Sequence, residues 1–260
     1  MKLKDKIAIV TGATKGIGVA IAQEYVKEGA KVVCTGRTVE LGQKVVDDIR
    51  ATGGDAIFVR CDVSKKADVD HVVAETVKTY GTVDIVVNNA GVNHSADFFE
   101  ITEEDWDWVM SVDLKGTFLM SQAAARVMVE QDKPGVIVNI GSVMAILALG
   151  DQIPYCAAKG AVNQLTKAMG LSLIGRGIRV NCVSPGPVLT ELMERVVHNE
   201  EKHKQLMDRL PIGYIASCEE IARVCVFMAS DDSSYFVGQS IYPDGGRSIQ
   251  AFPSRLEKRS

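Results

Sequence analysis

The chain has 260 residues, 47% of them hydrophobic, and a formal net charge of −4. That is ample apolar material for a core, and a negative net charge offers no sequence-wide basic field for nucleic acid. Residues 143–149, the longest uncharged apolar run, fall far short of the ~18 that cross a bilayer, and residues 1–6 hold no signal-peptide core, so no membrane association is expected.

Apolar runs of strand length alternate with amphipathic helical patterns along the chain. Strands are predicted at 7–10, 31–35, 56–60, 83–87, 136–140, 178–183 and 240–242. Helices are predicted at 17–28, 39–51, 65–80, 103–130, 154–174 and 218–229. The alternation predicts an α/β fold, a Rossmann-type doubly wound parallel sheet with helices on both faces. No Pro- or Ser-rich linker divides the chain, so residues 1–260 are expected to form one domain. Residues near 190–212 mix apolar and charged positions at helical spacing, which fits a mobile lid, and a tail runs from about 248. The six cysteines show no C-x-x-C spacing and read as small core residues of a reduced, cytoplasmic protein.

Between the first strand and helix stands Thr11-Gly12-Ala13-Thr14-Lys15-Gly16-Ile17-Gly18. Glycines in such a turn let the backbone approach a pyrophosphate at a helix N-terminus. The strand–turn–helix context supports dinucleotide binding, although G-x-x-x-G-x-G differs from the usual fingerprint. NAD-binding folds carry an acid about 20 residues on, to hold the ribose 2′-OH. Here the second strand ends in Thr35-Gly36-Arg37-Thr38, with no acid before Glu40. Arg37 and Lys15 could instead clamp a 2′-phosphate, so NADP(H) is the expected cofactor, with NAD(H) possible.

Ser142 follows the apolar run 136–140, and Tyr155 and Lys159 sit four apart just after Pro154, which suits a helix's first turn. A phenol, ordinarily titrating near ~10, is a poor proton shuttle until a nearby ammonium favours its phenolate. So tuned, it can give a proton to a carbonyl oxygen or take one from an alcohol, while the serine hydroxyl holds that oxygen. The residues offer no metal-ligand set.

These motifs, in order with Cys61-Asp62-Val63, Asn88-Asn89-Ala90-Gly91, Pro185-Gly186, Thr190 and Asp244-Gly245-Gly246, resemble the short-chain dehydrogenase/reductase family over about residues 5–247. The resemblance implies a cofactor site of Gly12, Thr14, Lys15, Gly16, Ile17, Gly18 and Arg37. Asp62 and Val63 would meet the adenine, and Asn89, Ala90 and Gly91 the ribose. Tyr155 and Lys159 would touch the nicotinamide ribose, and Pro185, Gly186, Val188 and Thr190 the nicotinamide. Asp113, in Val112-Asp113-Leu114-Lys115-Gly116, stands where the family's catalytic tetrad has an asparagine that holds a water beside the lysine. A carboxylate could hold the same water, and its charge could raise the tyrosine's pKa. The candidate catalytic set is therefore Ser142, Tyr155, Lys159 and Asp113.

Residues expected to face the substrate are His94, Met144, Ile146, Leu149, Ile153, Leu192 and Met193, a mostly apolar lining for a bulky hydrophobic alcohol or ketone such as a hydroxysteroid. The expected activity is interconversion of a secondary alcohol and a ketone. A 3-oxoacyl-[acyl-carrier-protein] reductase is the alternative enzyme, and a non-catalytic cofactor-binding regulatory or scaffold protein the alternative of another kind. The resemblance also implies a homotetramer.

Overall fold

Val, Ile and Ala fill both faces of the central strands, and such strands belong in a parallel sheet covered on both sides. The computed structural model describes residues 1–251, apart from the side chains of Leu192 and Arg195. Strands β1 (Ile7–Val10), β2 (Lys31–Gly36), β3 (Ala56–Arg60), β4 (Ile85–Asn88), β5 (Gly135–Ile140), β6 (Ile178–Val183) and β7 (Ser240–Ile241) form one sheet in the order β3-β2-β1-β4-β5-β6-β7. Every pairing is parallel, with Ile9 beside both Val33 and Val86, and Val87 beside Val138. β1 and β4 are buried throughout, whereas the edge strands β3 and β7 are only partly covered.

The helices are α1 (Gly16–Lys27), α2 (Val39–Ala51), α3 (Lys66–Tyr80), α4 (Glu103–Val109), α5 (Gly116–Glu130), α6 (Ile153–Leu173), α7 (Glu191–Val197), α8 (Glu200–Met207) and α9 (Cys218–Ala229). Their apolar stripes make two cores. On one face Ile21, Tyr25, Val46, Ile49, Cys225 and Met228 pack with Val10, Val32 and Val87. On the other, Val69, Val72, Met120 and Met128 pack with Ile9, Val33, Val86, Ile137 and Val180. Each such side chain contributes about 1.5–3 kcal/mol when fully buried. Burial also pushes the free Cys34 and Cys61 thiols up to about 12, so they act as apolar filling. Among the described residues no helix is long and apolar enough to cross a membrane.

One expectation is corrected. The helix expected at 103–130 is interrupted: α4 starts with a capping box from Thr102 and Asp105, and the backbone then widens over Met110–Lys115 into a π-type turn before α5. Wider turns of this kind occur often at functional sites, and this one carries Asp113. The lid segment is two short helices, α7 and α8, with mostly exposed residues. Beyond residue 251 the tail lies outside the described residues.

The chain adds β2 and β3 on one side of β1, then crosses back so that β4 pairs with the other side. Where the winding direction reverses, the C-terminal strand ends leave a crevice, the place where open α/β sheets bind ligands.

Candidate active site

That crevice is built by Thr11 and Asn89, which close the ends of β1 and β4. Thr11 Oγ1 accepts the N–H groups of Asn89 and Ala90, both at 3.0 Å. Asn89 Nδ2 donates back to the Thr11 carbonyl at 2.9 Å and the Gly12 carbonyl at 3.2 Å. The chain approaches itself so closely that a Cβ on Gly12, whose φ is +64°, would lie 2.8 Å from Ala90 Cα. Only glycine suits such a turn. Past it, the first amides of α1 face a cleft of about 430 Å³.

Gly12, Thr14, Lys15, Gly16, Ile17, Arg37, Asp62, Val63, Asn89, Ala90, Gly91 and Thr190 all line this cleft. Gly18 stands behind it, against the Gly12 carbonyl oxygen. Lys15 is not free: its Nζ pairs with Glu191 Oε2 at 2.7 Å, from the first residue of α7. Glu191 also lines the cleft. Burial would raise the Asp62 carboxyl, but hydrogen bonds from the Ser64 hydroxyl and N–H, with the nearby Arg37 charge, bring it below its usual range. A glycine cradle, helix amides and two cations fit a dinucleotide phosphate group.

Ser142, which like Tyr155 and Lys159 is not among the residues lining this cleft, follows β5 and starts a single helical turn, Val143–Ala145. Its Oγ accepts the Met144 N–H at 3.1 Å, which leaves its own proton available to donate. Pro185 presents its carbonyl to Val143 N–H at 2.8 Å, Gly186 donates to the Pro243 carbonyl at 3.1 Å, and Val188 pairs with Ala216. These contacts hold the 185–190 loop beside Ser142.

Tyr155 and Lys159 lie in the first turns of α6, with Lys159 Nζ 5.5 Å from the centre of the Tyr155 ring. Lys159 is buried, donates to the Ile140 carbonyl at 3.1 Å, and pairs with Asp113 Oδ2 at 3.1 Å. Burial alone would pull this ammonium down, but Asp113 and Tyr155 beside it outweigh that, and the net direction is up. Asp113 thus touches Lys159.

Of the residues expected on the substrate side, Met144 is buried under the Ser142 turn, and Leu149, Ile153 and Met193 are half-buried. His94 is half-buried and faces Asp105, with Nε2 3.4 Å from Oδ2. Its loop is tied to the loop before α6 by Ala96 N–H donating to the Asp151 carbonyl at 2.9 Å. Ile146 is 53% exposed and lines a groove along α6 with Gly160, Asn163 and Lys167. The Leu192 side chain lies outside the described residues.

The family model described as enoyl-(acyl carrier protein) reductase matches residues 12–248. A solved short-chain type dehydrogenase/reductase from Mycobacterium marinum superposes with a TM-score of 0.91 at 35% identity, covering 96% of this chain and 98% of that one. The chain belongs to the short-chain dehydrogenase/reductase family. It is similar, at 37% identity over 95% of its length and 99% of the relative's, to the 3-oxoacyl-[acyl-carrier-protein] reductase FabG of Thermotoga maritima. A putative 2-deoxy-D-gluconate 3-dehydrogenase from Agrobacterium tumefaciens, solved with bound NADP, matches with a TM-score of 0.90 and 33% identity over 96% of this chain and 98% of that one. As a short-chain dehydrogenase/reductase the protein is an NAD(P)-dependent oxidoreductase acting on CH–OH or carbonyl groups.

Some parts of this short-chain dehydrogenase/reductase site had no sequence signal. Glu191 belongs to the segment expected as a lid, with no expected role in the cleft. Asn88, given no role of its own by the sequence, donates its side-chain N–H groups to Ser121 Oγ at 2.8 Å and Asn139 Oδ1 at 2.9 Å, and Asn139 Nδ2 donates to Thr166 Oγ1 at 2.8 Å. This buried polar ladder ties α5 to α6 through β4 and β5. An Asn in each of two adjacent strands, with Ser and Thr on the covering helices, was the available clue.

Proposed function

We propose that the protein interconverts a secondary alcohol and a ketone with NADP(H). The observation that carries this reading is a buried lysine beside a half-buried tyrosine, the lysine packed against Gly91, which lines the glycine-rich cleft. When bound, the nicotinamide supplies or accepts the hydride. Tyr155 gives a proton to the substrate oxygen or takes it away, and Ser142 holds that oxygen with its free hydroxyl proton. Lys159 orients beside the tyrosine, fixed by the Ile140 carbonyl and Asp113.

The NADP(H) preference is supported by charge and by space. Arg37 and Lys15 both line the cleft. A Cβ on Gly36 would lie 2.6 Å from Thr14 Cγ2, so the acid that would hold a free 2′-OH has no room there. The competing carboxylate is Glu191, on Lys15. The bound NADP of the Agrobacterium relative agrees with this choice.

The substrate reading is a bulky hydrophobic alcohol or ketone, such as a hydroxysteroid. A second reading, a 3-oxoacyl thioester on an acyl carrier protein, is favoured by the relative from Thermotoga maritima. The protein would be a cytoplasmic homotetramer of one domain. Phe118, Val129, Leu171 and Ile174 stand exposed on and just after α5 and α6, an apolar surface for two-fold packing. Sedimentation as a monomer at micromolar concentration would refute the assembly. The activity is tested by NADPH oxidation with a panel of steroids, sugars and 3-oxoacyl thioesters. Turnover of a steroid ketone supports the first substrate class, turnover of thioesters alone the second, and an inert panel with folded protein rejects both.

A further inference from the structure

Lys159 Nζ has three protons to place. One goes to the Ile140 carbonyl at 3.1 Å. The ammonium also lies 3.1 Å from Asp113 Oδ2 as an ion pair, and that buried oxygen accepts no hydrogen bond of good geometry. The other carboxylate oxygen, Oδ1, accepts the Val92 N–H at 2.7 Å. A backbone N–H and a buried ammonium therefore meet the two oxygens of one buried side chain, the first as a hydrogen bond and the second as a charge contact. An asparagine has a single acceptor oxygen and would turn its NH2 onto one of those donors, so the pocket is built for a carboxylate. Gly91 closes over the pair: a Cβ there would lie 3.1 Å from Asp113 Oδ2 and 3.4 Å from Lys159 Nζ. The titratable groups facing Lys159 are Asp113, Tyr155 and Cys182. Burial pushes the Cys182 thiol up, which leaves it uncharged at neutral pH.

We propose that Asp113 is a positioning residue that neutralises Lys159 and so keeps Tyr155 as a proton-bearing phenol, biasing the site toward carbonyl reduction. The proposal rests on Tyr155 being the proton-transfer group. A lone ammonium near the ring would favour phenolate. A carboxylate in contact with that ammonium turns the charge into a dipole, whose field weakens faster with distance. In the reductive direction a hydride bonds to the carbonyl carbon, the C=O π pair forms the new O–H bond with the phenol's proton, and the phenolate left behind regains a proton from solvent. In the oxidative direction the phenolate must exist first, so alcohol oxidation requires a more alkaline solution.

The test is Asp113→Asn, read in two ways. The first needs neither cofactor nor substrate: tyrosinate ultraviolet absorbance is titrated for wild type and variant, each minus its Tyr155→Phe counterpart. The Tyr155 midpoint is expected to fall by about one pH unit or more in Asp113→Asn. The second is the pH of half-maximal alcohol oxidation, which should fall in parallel while KM for the cofactor changes less than about two-fold. An unshifted midpoint in folded Asp113→Asn overturns the proposal, as does an equal shift in Asp113→Glu, which keeps the charge. Should Asp113→Asn not fold, the double variant Asp113→Asn with Lys159→Gln exchanges one neutral pair for another. Its midpoint should stay within about half a pH unit of wild type, and a rise of a full unit would show an un-neutralised lysine and refute the idea. A shifted midpoint in a protein inert toward every alcohol and ketone would reject the assigned reaction alone, while an active enzyme with an unshifted midpoint would reject the role of Asp113 alone.

Discussion

Two lysine–carboxylate pairs flank the crevice, and their lengths do not rank them. Lys15–Glu191 spans 2.7 Å with side chains 56% and 66% exposed, while Lys159–Asp113 spans 3.1 Å with side chains 6% and 0% exposed. The shorter pair is in water, where such contacts contribute about 0–1 kcal/mol and salt screens them. The longer pair is sealed, and removing one partner would strand a charge at a cost of about 3–5 kcal/mol. Burial therefore decides what each contact can do. The outer pair can open when a phosphate competes for Lys15, whereas the inner pair is a fixed part of the site.

The largest expected effect comes from breaking the inner pair. Lys159→Ala should lower stability by about 3–5 kcal/mol, a Tm loss of roughly 6–20 °C by calorimetry, because Asp113 is left uncompensated. Its pH dependence sharpens the point. Lys159 is raised in the folded state above its ordinary 10.5, so the pair's contribution is fully present below that value and is lost as pH rises through the folded one. The stability difference between wild type and Lys159→Met, measured by denaturant unfolding, should accordingly stay level from neutrality upward and shrink only beyond 10.5. A difference that shrinks below that point would contradict the pairing.

Tyr155→Phe separates chemistry from stability in the same neighbourhood. Turnover should drop by about 10²-fold or more, with the melting temperature and cofactor Kd nearly unchanged. Wild-type turnover in that variant would remove Tyr155 from the mechanism.

Effects at the outer pair should be smaller and visible mainly with one cofactor. Arg37→Ala should reduce kcat/KM for NADPH by about tenfold and leave NADH nearly unaffected, one exposed charge-assisted contact being worth ~1.4 kcal/mol. Equal losses with both cofactors would clear Arg37 of phosphate binding. Glu191→Gln should shift stability by less than about 0.5 kcal/mol and tighten NADPH by at most a few-fold, a gain that fades as salt is added. A large or salt-independent change would mean that Glu191 does more than compete for Lys15.

The same contrast explains what could be read from the sequence. The covered parallel sheet follows from strands that are apolar on both faces, and the glycine loop is legible because Gly12 occupies a positive φ where its neighbours crowd it. Contacts made between distant segments leave no such trace. The widened turn at Met110–Lys115 was read as plain helix because Val109 and Val112 continue the apolar stripe and no proline or glycine interrupts it. Ile146 is expected in the pocket for standing near Ser142, and its place in the groove along α6 depends on the turn at Val143–Ala145, which the sequence does not announce. Asp113 stands out in the sequence as a departure from a pattern, but its hydrogen bond from Val92 and its ion pair with Lys159 emerge only when both are folded around it.

The contact between Gly36 and Thr14 imposes an order on mutational history. A change of Gly36 to an acid would drive its Cβ to 2.6 Å from Thr14 Cγ2, on a branched side chain with little rotamer freedom. With Thr14 first reduced to alanine, the nearest remaining neighbour is its Cβ, at an ordinary 3.5 Å. A lineage moving from one dinucleotide to the other through this position thus meets less steric resistance when a change at Thr14, itself in the cleft, precedes the change at Gly36 than in the reverse order.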